Sequence, residues 1–128
     1  MKKVPKIIQD VGFNFHWDNK KVWALVVPVK EMGIPELEWH FDVPFWNKPK
    51  GGYYDLTPNN VLANQNLYGL VLERIMKVDL SHLIDIMFWK GRWLILDGLH
   101  RLVKQKLLGE KAVKVRKIPA KFINRIKK

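Results

Sequence analysis

Apolar and polar residues change their period along this chain several times, and each change predicts an element. Phe13, Phe15 and Trp17 alternate with their neighbours, the period of a half-buried strand. The polar "DNKK" that follows reads as a turn, and Val22–Val29 ("VWALVVPV") as a buried strand with Pro28 near its end. Residues 30–56 mix Pro, Gly and aromatic side chains without a sustained period, which predicts short strands and ordered loops. Thr57-Pro58 is a helix start, with Thr as N-cap and Pro at the first helical position. Val61, Tyr68, Val71, Leu72 and Ile75 then predict one helical face running to about Lys77. "HLIDIMFW" and "RWLIL" flank "KGR", two strands joined by a hairpin with glycine at the turn. Asp97 to Leu108 reads as a turn and a helix that Gly109 stops, "AVKVRKI" as a strand, and Phe122, Ile123 and Ile126 as one face of a short final helix. On this reading Leu94, Leu96, Leu102, Val103, Leu107 and Val115 share one core.

This element order is that of a small α+β domain, and 128 residues suffice for one domain with a real core. Hydrophobic residues at 48% and charged residues at 27% place the chain among globular proteins. Its longest apolar runs fall far short of a bilayer span, so no membrane partner is expected. "MKKVPKIIQD" has basic residues but no apolar core of a signal peptide, and the expected location is cytoplasmic. The absence of cysteine excludes disulfides, a thiolate nucleophile and a cysteine zinc site.

Charge changes the picture more than composition does. Of the net +11, residues 101–128 carry +10, from eleven Lys and Arg against Glu110 alone. Such a segment is either a solvated face or a surface for an anionic partner. In the second case Lys104, Lys114, Arg116, Lys117, Lys121 and Arg125 are the nucleic-acid-binding candidates. No helix-turn-helix, RNA-recognition signature or zinc finger accompanies them. Most of the six Trp and six Phe lie in the first half, away from the basic segment, which favours packing over base stacking.

Candidate chemistry concentrates at "WLILDGLHR", where the strand gives way to the helix. A helix N-terminus offers unpaired N–H groups, Gly98 lacks a Cβ, and Arg101 and His100 add donors, together a phosphate cradle. Each residue also has a plainer role: Asp97 as N-cap, Gly98 as a turn residue, Arg101 in a carboxylate pair, His100 as a structural histidine. His16/Asp18 and His40/Asp42 would each share a strand face, but two ligands per segment fall short of a structural metal site, and none is assigned.

"ILDGLHRLVKQKLLGEKAVKVRKIP" resembles the core of the ParB/sulfiredoxin superfamily: strand, Asp-Gly-x-x-Arg, helix with a Leu-Gly end, strand. The resemblance covers about residues 79–119 and implies a ParB/sulfiredoxin-like domain with a small mixed sheet. It implies that Gly98 and Arg101 contact nucleotide phosphates, and His100 matches the sulfiredoxin branch. Leu99 stands where sulfiredoxins carry their reactive cysteine, so sulfinic-acid reduction is excluded. The partition-protein branch reads Gly-Glu-Arg-Arg and adds a helix-turn-helix; neither is seen here. A third branch, resembling free-serine kinases, carries a histidine- and carboxylate-bearing loop, for which "ELEWHFDVPFW" offers Glu36, Glu38 and Asp42. The expectation is therefore a nucleotide- or phosphate-binding protein using a nucleoside triphosphate with Mg²⁺. In an enzymatic version, phosphoryl would pass to a small acceptor with Glu38, Asp42 or Asp97 as candidate catalytic carboxylates. The alternative is a nucleic-acid-binding module without catalysis.

Overall fold

Residues 4–13 and 15–128 are described by a computed structural model; Met1–Lys3 of the basic N-terminal stretch and Asn14 of the predicted first strand lie outside the described residues. The hairpin anticipated around "KGR" forms one side of its sheet. β2 (Ile84–Trp89) and β3 (Arg92–Asp97) meet at Lys90-Gly91, both at positive φ (53° and 84°), the turn whose twist matches that of two paired strands. β4 (Ala112–Lys117) lies parallel to β2 on its other side, with Ile84 opposite Val115. β1 (Val29–Gly33) completes the sheet antiparallel to β4, giving the order β1-β4-β2-β3. The fold is thus α+β with a four-stranded mixed sheet.

The described residues also form the α-helices α1 (Lys6–Val11), α2 (Asn19–Trp23), α3 (Pro58–Ala63), α4 (Gly69–Met76), α5 (Leu99–Leu107) and α6 (Ile123–Ile126). Strand side chains alternate between faces, so one predicted core is divided into two. Leu102, Val103 and Val115 pack with Ile84, Ile86 and Ile95, and Leu107 lies at the edge of that cluster. Leu94 and Leu96 turn to the opposite face, where Phe13, Val22, Leu25, Met87, Ile118 and Ile126 join them. Among the described residues no helix is long and apolar enough to cross a membrane.

Three predicted elements need correction. Residues 22–29 are not one strand: the Asp18 side chain accepts the Lys20 N–H (2.9 Å), so "DNKK" opens α2, and strand begins only at Val29. Here an N-cap outweighs the β preference of a valine-rich run. Val22 and Leu25 are buried while Val26 is 98% exposed, a helical turn and bend rather than a strand. Among the described residues, Phe13 and residues 15–17 join no strand of the main sheet, and Trp17 bridges Lys127. The helix over 57–77 is two. Thr57 and Asn60 form a reciprocal capping box for α3, Asn64 ends it, and α4 starts again at Gly69. The polar run Asn64-Gln-Asn66 interrupts the apolar face between them.

Candidate functional site

The Asp-Gly-Leu-His-Arg turn joins β3 to α5. Gly98 occupies the N-cap of α5 at φ 116°, a conformation suited to glycine, and no side chain caps the helix there. Asp97 is therefore not the N-cap. A Cβ on Gly98 would meet Arg101 Nη1 at 3.0 Å and Ile84 Cγ1 at 3.1 Å, so the missing side chain makes room for the arginine and for β2. Arg101 Nη1 donates to the Leu83 carbonyl and Nη2 to Asp97 Oδ2 (3.0 Å), with the arginine side chain only 14% exposed. The same Asp97 oxygen accepts the Trp23 indole N–H (2.9 Å). Both terminal nitrogens of the motif arginine thus tie the turn to the chain before β2 and to the end of β3.

A cavity of about 920 Å³ opens beside this turn. Leu94–Asp97 of β3 and Gly98–His100 form one side of it; Phe45, Trp46, Tyr54, Phe13, Phe15 and Trp17 supply aromatic walls. The first helical bond of α5 runs from Leu102 N–H to Gly98 C=O (3.0 Å). The N–H groups of Leu99, His100 and Arg101 therefore precede any intrahelical acceptor, and Leu99 and His100 border the cavity. His100 stacks on Trp46 with ring centroids 4.7 Å apart. Burial lowers its pKa from the usual histidine value, with the charges of Arg74 and Arg101 acting in the same direction.

Side chains from distant parts of the chain close the free edge of β3. Trp39 Nε1–H donates to the Trp93 carbonyl (3.1 Å), and Trp17 Nε1–H to that of Leu96 (3.1 Å). His40 Nε2 lies 3.0 Å from the Ile95 nitrogen and Nδ1 2.8 Å from the Leu37 carbonyl. Nδ1 thus carries the proton and Nε2 accepts the Ile95 N–H. Burial is the main cause that brings the His40 pKa down to about 4, with the Leu37 bond opposing it and Arg92 adding to it. Three side chains so replace a neighbouring strand, and sequence reading assigned none of them that role.

The other candidate carboxylates lie elsewhere. Glu38 pairs with Lys106, Asp42 accepts from Asn59 Nδ2 (2.7 Å), Glu36 is exposed, and none of the three lines the cavity. Asp97 does, but its Oδ2 already holds two donors. Of the two His/Asp pairs, His16 and His40 reach the cavity wall, while Asp18 caps α2. Among the described residues no three His, Asp or Glu come together to hold a metal.

The basic candidates scatter as well. Lys104 donates to the Val78 carbonyl (3.0 Å), Lys117 lies over Trp93, and Lys121 and Arg125 lie over Phe122. Lys114 is exposed on β4. Arg116 is committed to the fold: Nη1 donates to Asp85 Oδ1 (2.8 Å) and Nη2 to the Leu25 carbonyl. Asp85 is 1% exposed within the apolar strand β2, and burial raises its pKa against the pull of Arg116. This pair escaped sequence reading; its signals were a carboxylate inside "HLIDIMFW" and an arginine inside "AVKVRKI".

No Lys or Arg is among the described residues that line the cavity; of its two carboxylates, Asp97 is held by Arg101 and Trp23, and Asp10 pairs with Lys6. What the walls offer is aromatic and aliphatic surface, imidazole and the N–H groups at the start of α5. No protein-family model, curated protein or solved structure matches this chain.

Proposed function

We propose that this chain is a ParB/sulfiredoxin-like binding protein whose cavity takes a nucleoside or nucleoside monophosphate. The planar base lies against the aromatic walls, and a single phosphate sits over the Leu99 and His100 N–H groups. The observation that carries this reading is the coincidence of six aromatic side chains in the cavity wall with the open first turn of α5. Gly98 and Arg101 shape that turn rather than grip the phosphate. Binding without phosphoryl transfer is favoured because Glu38 and Asp42 lie off the cavity and Asp97 is held by Arg101 and Trp23.

Thermal unfolding with nucleosides, their monophosphates and their triphosphates, each with and without Mg²⁺, tests the proposal. Ligands that bind only the folded state stabilise it by RT ln(1 + [L]/Kd), about 2.7 kcal/mol at a hundredfold excess over Kd. Nucleoside and monophosphate should raise the midpoint irrespective of Mg²⁺, and the triphosphate should do no better. Stabilisation by the triphosphate with Mg²⁺ alone, or by none of them, overturns the reading.

A further inference from the structure

The charge that the sequence places after Arg101 is redistributed by folding. Arg101, Lys104, Lys106 and Arg116 are bonded within the molecule. The cations left near the end of the chain meet a second group from α2. Asp18 N–H donates to the Ile126 carbonyl (2.7 Å), Trp17 bridges Lys127, and Lys128 N–H donates to the His16 carbonyl (3.1 Å). Lys21 Nζ reaches the Lys127 carbonyl (2.6 Å). Lys20, Lys21, Arg125, Lys127 and Lys128 therefore share one corner. Among the described residues none of these five has a carboxylate within ion-pair distance, and Asp18, the acid of that corner, is occupied as the α2 cap.

Trp23 ends α2 at this corner, with 53% of its surface exposed. Its indole N–H is held by Asp97 Oδ2 (2.9 Å), which fixes the ring as a platform. The neighbouring rings are covered, Phe122 by Lys121 and Arg125 and Phe15 by Lys127. We infer that this corner binds single-stranded nucleic acid, its phosphates along Lys20, Lys21, Arg125, Lys127 and Lys128 and a base stacked on Trp23. A cationic track beside a rigid aromatic plate is the arrangement that holds a single strand without reading its sequence. Anionic lipid is the competing partner, since Val26 beside Trp23 is nearly fully exposed. The covered rings and the tethered indole offer little else to insert into a bilayer.

The test is fluorescence anisotropy of a labelled oligothymidine with the full chain over a range of salt. Affinity should fall with salt at a log–log slope of about −3, as four or five phosphate contacts at about 0.7 each require. Arg125→Glu with Lys127→Glu should weaken binding more than about tenfold, each lost contact being charge-assisted. Lys111→Glu with Lys114→Glu, the same charge change on an exposed stretch away from that corner, should weaken it less than about threefold. Trp23→Ala should cost about tenfold and Trp23→Phe much less, because phenylalanine keeps the stack while losing the bond to Asp97. Unfolding midpoints measured alongside separate binding loss from misfolding. Equal weakening by the two double variants, no loss in Trp23→Ala, or tighter binding to phosphatidylserine-containing vesicles than to the oligonucleotide each overturns the inference.

Discussion

Asp85–Arg116 and Asp97–Arg101 are one chemistry in two settings. Asp85 and Asp97 are partners across β2 and β3, and each holds an arginine from further along the chain. The first pair is closed off: Asp85 is buried, and Arg116 reaches it from the parallel neighbour β4 while binding the Leu25 carbonyl. The second borders a cavity, and its arginine sits one helical turn beyond its aspartate. Placed side by side, they show how much of a ligand-like motif folding alone can use. Arg101 has the same kind of internal partners as Arg116, a carboxylate and a carbonyl. What distinguishes the second setting is the empty space beside it and the open helix start.

Breaking the closed pair should have the largest effect. Arg116→Ala leaves Asp85 buried without its cation and should cost about 3–5 kcal/mol in denaturant unfolding, whereas Asp85→Leu with Arg116→Met should recover most of it. A loss below about 1 kcal/mol in the single variant would show that Asp85 reaches water or another partner.

His40 sharpens the comparison by pH. Its folded pKa of about 4 lies below the usual 6.5, so the folded state binds fewer protons than the unfolded one between these values. Its contribution is complete above about pH 6.5 and is lost as pH falls toward 4, when a protonated Nε2 would face the Ile95 N–H. The full loss is roughly 3 kcal/mol. Asp85, raised by burial, acts in the opposite sense, losing stability as pH rises through its folded pKa, and His100 acts in the same sense as His40. The difference between the parent and His40→Gln across this window isolates the histidine; identical slopes would assign the acid sensitivity to other groups.

Arg101→Ala should cost about 1.5–3 kcal/mol, less than Arg116→Ala because Asp97, at 18% exposure, can recover water. Gly98→Ala should cost about 1–2 kcal/mol, from the positive φ and the contact with Ile84. If Arg101→Ala leaves stability intact and abolishes ligand binding, the arginine is a ligand contact and the comparison fails.

The sequence makes local decisions legible. The hairpin, α5 and β4 follow from a period and a turn glycine within a few residues of each other. The α2 start was also local, but the Asp18 cap competes with a valine-rich run and wins. What could not be read is set by contacts across the chain. Trp39, His40 and Trp17 find their backbone partners 54, 55 and 79 residues away, and only the sheet order shows that β3 has an edge to cover. The Gly98–Arg101 turn was located correctly as the junction of strand and helix. Its internal bonds depend on Leu83 and Trp23, which no spacing rule brings near it.

The central claim, that the cavity at the start of α5 takes a nucleoside monophosphate, is tested most directly by amide and indole ¹H–¹⁵N spectra. Titration with adenosine, cytidine, guanosine and uridine monophosphates should move the backbone signals of Leu99 and His100 and the indole signals of Trp46 and Trp17. The indole of Trp93, outside the cavity, should stay in place. Shifts confined to residues away from the cavity, or none with any of the four at millimolar concentration, would contradict the account.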